Sequence, residues 1–200
     1  MGVTDKNAAA NSEPKIDVAQ FENAINDILP GLANHARDVN LSADITALYK
    51  PGIILRDKGF VDASRRIGGM ITSHRFAILS NHMADISEFE HGTNWGLCIA
   101  KPESHFKVLD VYEYHGKTQI TLLHLPDDER WRIFENVDLA LPELSTNSIR
   151  ARFEARCEAE PIPELATETW LERCKYPVGT NLKGELLSPD PKSTEDDDGA

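Results

Sequence analysis

The chain has 200 residues, 40% of them hydrophobic and 27% charged, and its formal net charge is −12. That length suits one domain able to bury about 70% of the surface it exposes unfolded, so neither a disulfide nor a metal is required for stability. An acidic balance this strong disfavours nucleic acid and anionic membranes and makes a basic protein the natural partner.

The charge is uneven: residues 1–14 carry −1, residues 186–200 carry −4 and the stretch 15–185 carries −7. Both ends are polar, without an apolar face, and are expected to be disordered around a single α+β domain over 15–185. Three cysteines with no Cys-x-x-Cys pair fit a reducing compartment. No apolar run resembles a leader or a membrane span, so a cytoplasmic location is expected.

From Lys15, Ile16, Ala19, Phe21, Ile25, Ile28 and Leu29 recur at near-helical spacing. Ser12 is a candidate N-cap, with Pro14 in the first turn. Pro30-Gly31 should stop this helix, with Leu32 to Arg37 resuming it. A short helix is expected over Ser42 to Tyr49. Ile53-Ile54-Leu55 reads as an edge strand, and Ile71 to Ser80 as a strand buried on both faces. In Trp95 to Ala100, Trp95, Leu97 and Ile99 share one face and Gly96, Cys98 and Ala100 the other, which suggests a helix packed on the small side.

Ser104 to Leu125 reads as a hairpin turning at His115-Gly116, a two-residue loop that needs positive φ. Pairing Tyr114 with Lys117 sets Val111 against Ile120, Leu109 against Leu122 and His124 against Lys107. Asp127, Asp128 and Glu129 then open a helical turn that points Trp131 and Phe134 inward. Residues 149–157 favour a helix with Ile149, Phe153 and Cys157 in a row. Thr167 should cap a further helix over Glu168 to Lys175. The fold expected is a mainly antiparallel sheet in the middle of the chain, covered by helices from both ends.

Six of the seven histidines lie between positions 74 and 124, among several carboxylates. No His-x-His, His-Glu-x-x-His or i, i+3/i+4 histidine pair occurs, so no metal site and no cofactor are expected. His82 and Asp85 come directly after a buried strand, where catalytic groups are often held. His124, near the acids at 127–129, is a candidate general base, and His74 completes the set. Arg65 and Arg66 beside Gly68 and Gly69 lie in a basic island and are anion-binding candidates. Asp127, Asp128 and Glu129 are candidate partner contacts. Cys98, on an apolar strand, reads as inert core.

No Walker loop, nucleophile elbow or Gly-x-Gly-x-x-Gly is present. Acidic balance, small size and the lack of a catalytic motif point to a non-enzymatic protein-binding module, such as an inhibitor or immunity-type protein, acting on a basic partner. The alternative is a metal-dependent or general acid–base enzyme using the His/Asp cluster.

Overall fold

The computed structural model describes residues 18–135, 144–181 and 183–190. The expected disordered N-terminus, the Ser12 cap and most of the acidic tail lie outside the described residues.

The fold is mixed α/β around one large, mostly antiparallel sheet. Its elements are α1 (Val18–Ile28), β1 (Ala33–Val39), α2 (Ala43–Thr46), β2 (Ile54–Asp57), β3 (Val61–Ser64) and β4 (His74–Ser80). They continue as β5 (Ala84–Asp85), β6 (Leu97–Ala100), β7 (Ser104–Tyr114), β8 (Lys117–His124), α3 (Thr146–Cys157) and α4 (Glu168–Arg173). The eight strands run in the order β2-β7-β8-β4-β1-β3-β6-β5. All pairings are antiparallel except β4 with β8. Among the described residues no helix is long and apolar enough to cross a membrane.

Strand alternation divides the sheet into two apolar layers. On one face, Leu55, Phe76, Ile78, Phe106, Val108, Ile120 and Leu122 form a cluster with Tyr49 and Val178. On the other, Ile54, Ala77, Leu79 and Leu123 pack against Ala24, Ile25 and Ile28 of α1, Trp131 and Phe134, and Ile149 and Phe153 of α3. Every residue of β4 is buried, as its continuous apolar run demands. β2 is an edge strand, as the short Ile53-Ile54-Leu55 run suggests.

The expected resumption of helix over Leu32 to Arg37 is wrong. Gly31 turns the chain at φ +74, and Ala33–Val39 instead pairs with β4 at seven positions. Local helix preference yields because a strand flanked by two partners fills both its hydrogen-bonding edges.

The hairpin turns where expected, with His115 at φ 52 and Gly116 at φ 72. Tyr114 faces Lys117 and Val111 faces Ile120, but a bulge at Leu109 shifts the register beyond it. Val108, not Leu109, opposes Leu122, and His124 stands opposite Phe106 rather than Lys107. The extra residue is accommodated by kinking one strand.

On β6, Cys98 and Ala100 face the first apolar cluster. The helix lies on the other side: Leu97 packs with Leu165 and with Trp170 of α4. Thr167 caps α4 by accepting from the Trp170 amide, and Asp128 caps the 3₁₀ turn Glu129–Phe134 by accepting from the Arg130 amide.

Candidate functional site

The parallel pairing of β4 with β8 sets their C-terminal ends side by side, with Leu79 opposite Leu123. The next residue on each strand is Ser80 and His124, and their side chains meet: Ser80 Oγ lies 2.9 Å from His124 Nδ1. Ser80 Oγ also accepts from the amides of His82 at 3.2 Å and Met83 at 3.1 Å. This turn folds the chain back, so that the His82 ring stacks on the His124 ring with centroids 3.9 Å apart. Phe106 stacks on His124 at 4.8 Å.

The protonation of His82 is set by its neighbour. Asn81 Nδ2 donates to the carbonyls of Asp27 and Pro30, which turns Asn81 Oδ1 towards His82 Nδ1 at 2.7 Å. Nδ1 therefore carries the hydrogen, and Nε2 presents a lone pair. Among the described residues neither His82 Nε2 nor His124 Nε2 makes a well-formed hydrogen bond, although both atoms are buried and the Leu125 backbone lies close enough to the His82 ring to raise its pKa. Asp127 completes the group: its Oδ1 lies 3.9 Å from His124 Nε2. The donor atoms of His82, His124 and Asp127 all lie within 4.8 Å of one another.

Burial holds the His124 pKa well below 6.5, helped by His82, His35 and Lys101. His82 is lowered too, again chiefly by burial, against the pull of the Asp127 carboxylate. Both rings are thus neutral near pH 7, the state in which an imidazole nitrogen accepts a proton or a metal ion. Asp127 is the open side of the group and also pairs with Lys101 at 3.1 Å.

The other candidates disperse. His74 binds Thr46 through Nε2 and Ser73 through Nδ1, both at 2.8 Å. Asp85 holds Arg65 at 2.5 Å and caps Ser87, and its pKa is lowered mainly by the Ser87 hydrogen bonds. Arg66 binds the Asn94 carbonyl and Glu164. Gly68 and Gly69 lie against the backbone of 159–161: a Cβ on them would meet Glu160 O at 2.7 Å and Ala159 O at 2.5 Å. These glycines permit a close approach of two chain segments. Asp128 binds Arg130, and Glu129 binds Arg132 at 2.6 Å. Cys98 is buried, with its thiol pushed up to about 11 by desolvation.

Sequence spacing points away from a metal because it registers only local patterns, and His82 and His124 are 42 positions apart. Asp127 stands out in the sequence only as a surface acid. The periodic signal that marks β4 and β8 as strands does not say that they pair in parallel.

No protein-family model matches the sequence, and no curated protein matches it. Solved structures do show similarity. The type III effector XopAI from Xanthomonas axonopodis pv. citri aligns at 18% identity over 48% of this chain and 44% of its own, with a TM-score of 0.42. Exoenzyme S from Pseudomonas aeruginosa, solved with human 14-3-3 protein beta and Carba-NAD, aligns at 16% identity over 62% and 61%, with a TM-score of 0.43. The ADP-ribosyltransferase HopU1 of Pseudomonas syringae pv. tomato aligns at 18% identity over 47% and 46%, with a TM-score of 0.43. The matched region spans less than two thirds of each of these proteins. These likenesses correct the expectation of a non-enzymatic, inhibitor- or immunity-type binding module: the similar structures are effectors and ADP-ribosyltransferases.

Proposed function

We propose that the chain is a metal-dependent enzyme centred on His82, His124 and Asp127. The observation that carries this reading is the pair of buried Nε2 atoms, without a well-formed hydrogen bond among the described residues, facing one carboxylate. Leaving a buried polar atom unsatisfied costs about 1–3 kcal/mol, and two such atoms side by side ask for a shared ligand. On each ring the remote nitrogen already has an oxygen partner, Asn81 Oδ1 or Ser80 Oγ. That is the outer arrangement by which proteins orient metal-binding imidazoles. Without a metal Ser80 Oγ already accepts from two amides, so its own hydrogen goes to His124 Nδ1 and Nε2 carries the N–H. Holding a metal requires the other tautomer, with the proton moved to Nδ1.

Two imidazoles and one carboxylate suit zinc or a related divalent ion and leave coordination open. Such an ion lowers the pKa of a bound water towards neutrality, which supplies a nucleophile for hydrolysis. In this chain the residues hold and orient: Ser80 and Asn81 fix the rings, and Phe106 and the stacked imidazoles exclude water from one side. Lys101 brings a positive charge beside Asp127, where an anionic substrate group would be drawn.

The test is a zinc titration of metal-stripped protein, read by calorimetry and metal analysis. One equivalent should bind, and the alanine variants of His82 and His124 should each weaken binding by at least about tenfold. Stoichiometric zinc held equally well by both variants would place the metal elsewhere and sink the reading. NAD turnover is assayed on the same preparations: ADP-ribosyl transfer that persists after chelation, unaffected by either substitution, replaces this proposal with a metal-free one.

A further inference from the structure

A second group of unsatisfied polar atoms lies on the opposite face of the sheet. Arg56 on β2 pairs in register with His105 on β7, so the two side chains are neighbours on one face. Arg56 is only 3% exposed. Its Nη1 donates to Glu103 at 2.9 Å, while Nε and Nη2 have no partner among the described residues. Glu103 is itself on the surface, 57% exposed at its side chain, so it anchors one end of the guanidinium and leaves the inner edge bare.

His105 is 7% exposed and lies flat on Trp131, with ring centroids 4.3 Å apart and planes 10° from parallel. Its Nε2 is 3.1 Å from the carbonyl of Pro189. A carbonyl only accepts, so Nε2 carries the hydrogen and Nδ1 is an acceptor, again without a partner among the described residues. Burial keeps the ring neutral by lowering its pKa. The segment carrying Pro189 packs over the group, with Leu187 buried and Asp190 3.8 Å from Arg132.

We infer that Arg56 and His105 form a binding site for a phosphate-class oxyanion beneath the 186–190 segment. The donor pattern selects the chemistry. Nε and Nη2 form one edge of the guanidinium fork, matched to two oxygens of a phosphate or a carboxylate. The lone pair of His105 Nδ1 then distinguishes them: a monoprotonated phosphate, free or as a monoester, has an O–H to donate, and a carboxylate has none. This site shares no residue with the His82–His124–Asp127 centre.

The full-length protein is titrated with inorganic phosphate, and with acetate as the carboxylate control, in the presence of a chelator. Binding is read by calorimetry and by the thermal midpoint. Phosphate should bind and acetate should bind more weakly. Arg56→Lys keeps the charge but loses the fork, and should weaken phosphate at least about tenfold. His105→Phe keeps the ring on Trp131 and should erase the preference for phosphate over acetate. Both variants are compared with the wild type by near-ultraviolet circular dichroism, so that a folding defect is recognised. No phosphate binding by the wild type, or unchanged binding and preference in two folded variants, overturns the inference. Binding of inorganic phosphate that is improved with a phosphomonoester supports it and identifies the ester as the source.

Discussion

His124 and His105 stand on neighbouring strands, next to Phe106 and Leu125, and look out of opposite faces of the sheet. Both are buried, both have an aromatic neighbour stacked on the ring, and each keeps one ring nitrogen without a partner among the described residues. What surrounds them differs. His124 faces a second imidazole and a carboxylate, which is an acceptor-rich place for a cation. His105 faces a guanidinium with two bare donors, which suits an anion. The same residue type, given the same burial, is steered to opposite ligands by the charge of its neighbours.

The largest test of that contrast removes the stack beneath His124. Phe106→Ala should cost about 3–5 kcal/mol in urea unfolding, because Phe106 is fully buried in the first apolar cluster. It should also weaken zinc binding, whereas Trp131→Ala, on the other face, should destabilise comparably and leave zinc affinity alone. Equal loss of zinc affinity in both would erase the distinction between the faces.

Zinc itself should come next in size. At a free concentration of about a hundred times its dissociation constant it should stabilise the fold by about 2.7 kcal/mol, with no such gain in His124→Leu. A gain that survives that substitution would assign the metal to other ligands.

Acid provides a smaller and separable effect. The His105 pKa is lowered in the fold, so below 6.5 the unfolded chain takes up a proton that the native ring resists. Its contribution to stability is therefore complete above that value and is lost as the pH falls through the window beneath it. His105→Phe should flatten part of this acid-side loss in pH-dependent denaturation, leaving the share due to His35, His74, His82 and His124, which are lowered in the same direction. An unchanged slope would mean that the ring titrates normally.

The smallest effect should be that of Asp127→Asn on the metal-free fold. Asp127 and Lys101 meet at the surface, so their loss should cost less than about 1 kcal/mol. The same change should lower zinc affinity clearly. Calorimetry beside denaturation tells the two apart.

Several parts of this arrangement were legible in the amino-acid order. The His115-Gly116 turn, the buried β4 run, the Thr167 cap and the inward Trp131 and Phe134 all rest on local chemistry, and each is present in the structure. β1 was not, because Ala33–Val39 is a strand only by virtue of its two neighbours. The bulge at Leu109 was equally hidden, and with it the residue opposite His124. Of the catalytic candidates, His82 and His124 converge, while His74 and Asp85 are held by Thr46, Ser73, Arg65 and Ser87. In the sequence Asp127 is marked by its charge, and Arg56 only as one of five basic residues between positions 51 and 80. The facts that give them a role are a parallel pairing and a strand register, neither of which a linear pattern encodes.

The parallel pairing of β4 and β8 also has a consequence for how the chain is made. β4 emerges during synthesis well before β8, since His74 and its partner Thr118 are 44 positions apart. In that interval β1 has already emerged and covers one edge of Phe76-Ala77-Ile78-Leu79, while the other edge waits for a hairpin not yet translated. An apolar strand with an open edge on the ribosome is an aggregation hazard. The nascent chain is most exposed between completion of β4 and closure of the β7–β8 hairpin, and slowing translation across that stretch prolongs its dependence on holding chaperones.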